Sequence, residues 1–295
     1  MALNVSILKI RSLTATIFVI VMLAGLLVNQ WTFLLLFSII HFGCWHEYQQ
    51  IVADIDPRYN EISPFHRYGV MIAGWCIMLY FFNDGYRIGG TSLHAIGWWA
   101  GLIFIFVLPA GEILLSRRIN LRNILYSFLG LLYISLSLGL LTNLRTLFYG
   151  NFVNLWGTML VMLIIGSLWI NDTMAYIVGS LIGRTPFSKV SPKKTWEGTL
   201  GGIILAILVM GAIGFFVGRK ATDSVDWDWI FQWMAVAAIT AIAGTAGDLL
   251  ESKLKRLANV KDSGTIMPGH GGFLDRFDSL LVATPFVWLY IMWIS

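Results

Sequence analysis

The recurrence of long apolar runs almost free of Asp, Glu, Lys and Arg is what most limits how this 295-residue chain can fold. A bilayer core about 30 Å thick takes roughly 20 apolar residues of helix. Nine runs of that order occur, at about residues 12–28, 31–49, 67–83, 93–115, 122–142, 153–171, 198–217, 229–248 and 278–294. Lipid gives bare backbone no hydrogen-bond partner, so each run is expected to be a helix. The predicted fold class is all-α, a polytopic membrane protein with about nine transmembrane helices. Composition agrees: 57% of the residues are apolar and 12% charged, against roughly 45–50% and 25% in soluble domains. That excludes an ordinary soluble domain, and also a disordered chain, which needs low hydrophobicity and high net charge. Cys44 and Cys76, the only cysteines, lie in apolar stretches and offer neither a disulfide framework nor a cysteine metal site.

The few cations are unevenly placed. Lys9, Arg11, Arg58, Arg67, Arg117, Arg118, Arg122, Arg184, Lys189, Lys193, Lys194, Lys253, Lys255, Arg256, Lys261 and Arg276 fall on one set of alternate loops, and only Arg87, Arg145, Arg219 and Lys220 on the other. The bias predicts an N-terminus inside and a C-terminus outside, in the inner or cytoplasmic membrane if the source is bacterial. The first run follows Lys9 and Arg11 as a signal peptide would, but it lacks a small-residue cleavage site and leads almost directly into the second run. It reads as a retained anchor, with the two runs as a hairpin. Residues 1–160 read as an N-terminal membrane-helix region, and 161–295 as a catalytic membrane domain with cytoplasmic loops at about 184–197 and 249–277. The active site is expected on the cytoplasmic side of that C-terminal half.

Two polar motifs stand out there. The first runs from Asn171-Asp172 through Gly179 and Gly183-Arg184 to Ser191-Pro192-Lys193-Lys194-Thr195-Trp196-Glu197-Gly198. Positions 172, 175/176, 179 and 183 share a helical face, placing a carboxylate at one end of a stripe of small residues that lets another helix approach closely. Asp172 is either a functional acid, since a carboxylate facing lipid is expensive, or a helix cap or headgroup-level group. Ser191-Pro192 reads as an N-cap with proline at the first helical position. Lys193 and Lys194 then occupy a first turn where the dipole disfavours cations. That placement suits a phosphate site; the alternative is a basic loop drawn to anionic headgroups.

The second motif begins at Gly247-Asp248 and includes Glu251, Ser252, Lys255 and Arg256, which share a helical face. It continues through Lys261-Asp262-Ser263-Gly264 and Pro268-Gly269-His270-Gly271-Gly272-Phe273 to Asp275-Arg276-Phe277-Asp278, with Asp275 and Asp278 one turn apart on the last helix. Three carboxylates bracketing a glycine-rich loop suit Mg2+, which takes one or two carboxylates and completes its shell with phosphates and water. The Gly269–Gly272 amides can cradle phosphate oxygens. His270 is either a ligand contact or a hydrogen bond fixing the loop, and it is a poor zinc candidate. Glu47, His46 and Glu112 read as interfacial or helix-packing groups.

The run Ser252-Lys253-Leu254-Lys255-Arg256, then Lys261-Asp262, then Pro268-Gly269-His270-Gly271-Gly272-Phe273-Leu274-Asp275-Arg276-Phe277-Asp278 resembles the signature of the phosphatidate cytidylyltransferases, also called CDP-diglyceride synthases. Ser191 to Gly198 and Asp172 to Gly183 resemble a second recurrent block of that family. The resemblance covers about residues 160–295. It implies the reaction CTP + phosphatidate → CDP-diacylglycerol + pyrophosphate, at the cytoplasmic face of a nine-span fold. It also implies Mg2+, with K+ as a candidate second cation, and a metal set of Asp248, Asp275 and Asp278. On this reading Asp248, Lys255, Arg256, Asp275, Arg276 and Asp278 act on the reacting groups. Asp172, Ser191, Lys193, Lys194, Thr195, Glu197, Ser252, Lys261, Asp262, His270, Gly271 and Gly272 bind substrate. The expected partners are CTP, phosphatidate and the bilayer, with a homodimer as the candidate assembly; the net charge of +4 requires no nucleic acid. The rival reading is a CTP-dependent kinase of polyprenol- or phytol-type alcohols. A transporter would call for mid-membrane polar groups or an internal repeat, and neither is evident.

Overall fold

The computed structural model describes residues 5–116, 120–147, 153–188, 190–222, 226–265 and 271–294. Each of the nine apolar runs lies on a helix. Among the described residues six helical stretches are long and apolar enough to cross a membrane: Leu93–Leu115, Leu121–Thr146, Leu155–Ile182, Trp196–Arg219, Trp227–Leu257 and Leu274–Ile294. The chain is therefore an all-α polytopic membrane protein. Of the earlier helices, α1 (Val5–Leu27) has a shorter apolar stretch, and α2 (Gln30–Ile55) and α3 (Pro64–Tyr80) bury His41, Glu47, Gln49 and His66. The chain divides into two compact units, Met1–Asn151 with Leu254–Phe277, and Phe152–Lys253 with Asp278–Ser295.

In the first unit α1 and α2 form the expected hairpin. Asn29 caps α2, its side-chain oxygen accepting the N–H groups of Trp31 and Thr32 at 2.8 and 2.9 Å. The Thr32 hydroxyl in turn accepts the Asn29 N–H at 3.2 Å, a reciprocal capping box. A two-residue turn at Gly89 and Gly90, with φ of +56° and +88°, joins the short antiparallel strands β1 (Arg87–Ile88) and β2 (Thr91–Ser92). Both turn positions need positive φ, which glycine adopts freely. Ser92 then caps α4 (Leu93–Leu115), accepting the Ala95 N–H at 3.1 Å.

A single rod follows, made of α5 (Leu121–Gly130), a π turn at Leu131–Leu136 and α6 (Ser137–Thr146). The π turn presents Ser135 to α2, where its hydroxyl accepts the Trp45 indole N–H at 2.9 Å and lies 3.0 Å from His41 Nε2. Trp45, Tyr59, Phe33 and Phe37 are fully buried in the unit, among the largest side chains there. On α4 only Leu93, Gly97 and Glu112 are buried, whereas Phe106 and Leu114 are 74% and 81% exposed. Apolar residues turned outward along a whole helix are the pattern of a lipid-facing surface.

The second unit holds α7 (Val153–Ile182), α8 (Trp196–Thr222), most of α9 (Trp227–Leu257) and most of α10 (Leu274–Ile294). The small-residue stripe brings α7 and α8 together as expected. A Cβ on Gly198 would stand 2.7 Å from the Ala175 carbonyl oxygen and 2.9 Å from Gly179 Cα, and one on Gly202 would stand 2.7 Å from the Asn171 carbonyl oxygen. Both contacts are open only to glycine. The helix carries that stripe as expected: α7 continues eleven residues past the end of the apolar run at 171, so of the two readings of Asp172 the helix cap is excluded. The side chains Ile177, Val178, Leu181 and Ile182 extend the apolar pattern and the helix with it.

Candidate active site

Three carboxylates of the second unit gather where α9 and α10 approach. Asp248 and Glu251 stand one turn apart on α9, and Asp278 lies in the first turns of α10. One oxygen from each of these three carboxylates lies within 4.8 Å of the others. Glu251 and Asp278 are buried and Asp248 is half-buried. Glycine makes the meeting feasible, because a Cβ on Gly247 would come within 2.6 Å of the Asp278 carbonyl oxygen and 3.0 Å of Ser279 Cα. The Ser279 N–H donates to Asp278 Oδ1 at 2.6 Å, and the Lys194 ammonium pairs with Asp248 Oδ2. Buried carboxylates persist when paired or when they coordinate a cation. An all-oxygen donor set of this density fits Mg2+ and is a poor match for zinc, which favours nitrogen and sulfur.

Lys194 reaches Asp248 from a segment that the structure draws differently from expectation. Pro186 and Thr195 form an antiparallel bridge. The Phe187 N–H bonds the Lys194 carbonyl at 2.8 Å, and the Trp196 N–H bonds the Thr185 carbonyl at 3.0 Å. The pairing keeps residues 194 and 195 extended, so α8 starts at Trp196 and its cap is Thr195 rather than Ser191. The Thr195 hydroxyl accepts the Gly198 N–H at 3.1 Å. Ser191 to Lys194 form a turn closed by the Lys194 N–H on the Ser191 carbonyl at 3.1 Å. Lys193 and Lys194 accordingly lie outside the helix and escape its unfavourable dipole. Glu197 accepts the Arg184 and Thr185 N–H groups, each at 3.2 Å, and the Thr185 hydroxyl at 2.8 Å; it holds the loop. Thr195→Ala is expected to cost about 1 kcal/mol through the lost cap, read as a lower thermal midpoint in detergent, with Thr195→Ser close to the parent.

In the first unit a second carboxylate cluster organises the loop after α9. Asn259, with φ 58°, ends the helix in a left-handed turn, and the Val260 N–H reaches the Lys255 carbonyl at 2.9 Å. Lys255 Nζ donates to Asp275 Oδ1 at 2.6 Å, with side chains 14% and 10% exposed. Asp275 Oδ2 accepts the Ser263 N–H at 2.9 Å, the Gly272 N–H at 2.8 Å and approaches the Ser263 hydroxyl at 2.9 Å. Gly271 has φ +81°, and a Cβ there would strike the Asp275 carboxylate. Beyond Ser263 lies Glu47 of α2, 1% exposed. It accepts the Ser263 hydroxyl at 2.7 Å and the N–H groups of Phe273 and Leu274 at 2.8 Å each. Gly264 and Gly272 lie against its carboxylate, leaving no room for a Cβ.

Residues 9–294 match the Cytidylyltransferase family. The chain belongs to that family. It is 35% identical to the phosphatidate cytidylyltransferase of Rickettsia felis over 194 residues, which is 65% of this chain and 82% of that protein. It is 39% identical over 137 residues to the phosphatidate cytidylyltransferase of Synechocystis, covering 46% of this chain and 44% of that protein. It is 41% identical over 125 residues to that of Bacillus subtilis, covering 42% of this chain and 44% of that protein.

The candidate residues of this cytidylyltransferase family member fall into distinct settings. Asp248 and Asp278 come together with Glu251, whereas the Asp275 oxygens are engaged by Lys255, Ser263 and Gly272. Asp172, Lys193, Arg256, Lys261, Asp262 and Arg276 are exposed, while Ser191, Ser252 and Gly271 are half-buried and Gly272 is buried. His270, with Pro268 and Gly269, lies outside the described residues, as does Lys189. Sequence reading named Glu251 for its helix face alone and took Glu47 for an interfacial or packing group. The signal for Glu47 was a lone carboxylate inside the apolar run 31–49, where a buried charge has to be satisfied by donors.

Proposed function

We propose that the protein transfers the cytidylyl group of CTP to phosphatidate, forming CDP-diacylglycerol and pyrophosphate in phospholipid biosynthesis. The family match over residues 9–294 carries this reading, and the relatives named above share one activity in their names. The same match favours cytidylyl transfer over the lipid-kinase alternative. A phosphatidate phosphate oxygen attacks the α-phosphorus of CTP; a P–O bond forms there and the α–β bridging P–O bond breaks, its electron pair leaving on pyrophosphate. No covalent enzyme intermediate is needed. The protein's task is to bring two polyanions together and to stabilise charge as it shifts.

Asp248, Glu251 and Asp278 are the residues that would hold Mg2+, and what a divalent ion supplies when bound there is neutralisation of phosphate charge. Lys194, ion-paired with Asp248, stands where it can transfer to a phosphate oxygen. Lys193, Arg256, Lys261 and Arg276 are exposed cations, the residue type that neutralises phosphate. The fold proposed for this chemistry has nine spans, with the N-terminus and the active site on the cytoplasmic side. A reporter fused after Ser295 is expected outside; a cytoplasmic reporter would contradict the nine-span count. Purified protein given CTP, phosphatidate and Mg2+ in detergent should yield CDP-diacylglycerol, and no cytidylyl lipid when phosphatidate is omitted. A preparation that folds yet forms no CDP-diacylglycerol would overturn the proposal.

A further inference from the structure

We propose that Glu47, on the second helix of the N-terminal half, is a positioning residue for the loop that carries Ser263, Gly272 and Asp275. Its surroundings set it apart from a packing residue. The carboxylate is buried and accepts three hydrogen bonds, all from residues 216 or more positions away in sequence. Two of the donors, the N–H groups of Phe273 and Leu274, belong to the start of α10, whose first-turn N–H groups have no partner within the helix. A carboxylate there satisfies them and complements the helix dipole. Glu47 thus acts as an N-cap supplied from a distant helix.

The third bond carries the effect to Asp275. The Ser263 hydroxyl lies 2.7 Å from Glu47 Oε2 and 2.9 Å from Asp275 Oδ2. It has one proton and two carboxylate neighbours, so its donation to Glu47 turns a lone pair towards the Asp275 N–H, which donates back at 3.2 Å. Asp275 is held from its other sides by Lys255, Gly272 and the Ser263 N–H. Glu47 and Asp275 are therefore two anchors sharing one serine, and Ser263 and Gly272 are both held by carboxylates. Gly264 and Gly272 let the loop backbone close on Glu47, since a Cβ at either position would collide with its carboxylate.

The role rests on the cytidylyl-transfer reading for its kinetic consequence but has a signature that does not. Glu47→Gln keeps the volume and replaces one acceptor oxygen by an NH2 group that cannot accept from an N–H. Amide exchange at Phe273 and Leu274 should accelerate at least about 10-fold, with the rest of α10 unchanged and the detergent elution profile preserved. In the transferase assay kcat should fall about 10-fold or more, by a larger factor than KM for CTP rises, since a displaced loop costs more in the transition state than in the ground state. Ser263→Ala, which leaves the two backbone bonds intact, should also lower kcat, and the double variant should be no worse than the more affected single one. Folded Glu47→Gln with parental amide exchange and kcat would overturn the proposal. So would a multiplicative double variant, or Ser263→Ala at parental kcat should Glu47→Gln fail to fold. Parent protein lacking transferase activity would instead remove the proposed function, leaving the exchange result to judge Glu47 by itself.

Discussion

Asp248→Asn is expected to lower turnover by about 1,000-fold or more, equivalent to about 4 kcal/mol of transition-state stabilisation. The side chain keeps its shape and loses its charge, so the effect isolates electrostatics. Asp248 shares a site with Glu251 and Asp278, all three offering an oxygen within 4.8 Å of the others, and it also receives the Lys194 ammonium. Removing its charge weakens the cation site and releases Lys194 from its partner. Asp278→Asn should behave alike, because Asp278 is buried and its Oδ1 is fixed by the Ser279 N–H. For both variants the dependence on Mg2+ should shift to higher concentration, measured alongside a thermal midpoint close to the parent. Turnover within 10-fold of the parent at ordinary Mg2+ would refute the assignment of these carboxylates to the metal.

Lys255→Met is expected to produce the largest loss of stability. Lys255 and Asp275 form a short ion pair with little solvent access, and removing one member of a buried pair leaves the other charge uncompensated, at a cost of about 3–5 kcal/mol. The methionine retains the aliphatic stem, so the change reports on charge. Gly272 and Ser263 still donate to Asp275 and moderate the loss. Adding Asp275→Asn to Lys255→Met should recover part of the stability without recovering activity, since the stranded charge is gone while the loop is still misplaced. A single variant as stable as the parent in detergent unfolding would show that the pair is not a stabilising contact.

Much of this architecture was legible because it follows from local pattern. The nine apolar runs all became helices, since length and apolarity act within a segment. The Asp248 to Arg256 face followed from the helical period alone, and the stripe at Ala175, Gly179 and Gly183 foretold the close approach of α8. What escaped were features made by distant partners. Ser191-Pro192 carries a sound local capping pattern, yet the bridge between Pro186 and Thr195 holds the backbone extended and moves the cap to Thr195. Asp275 and Asp278 share a spacing that fits one metal site, but the structure groups Asp278 with Glu251, while the loop at Ser263 and Gly272 takes up Asp275. Glu47 was invisible as a loop anchor because its donors lie more than two hundred residues downstream.

Cytidylyl transfer and lipid phosphorylation differ in which phosphorus of CTP reaches the lipid. Purified protein should be given phosphatidate, Mg2+ and CTP labelled at either the α or the γ phosphate, and the lipid extracted. Cytidylyl transfer predicts that α label enters the lipid and γ label leaves with pyrophosphate. Appearance of γ label in the lipid, with α label retained in water-soluble CDP, would contradict the account and identify a lipid kinase instead.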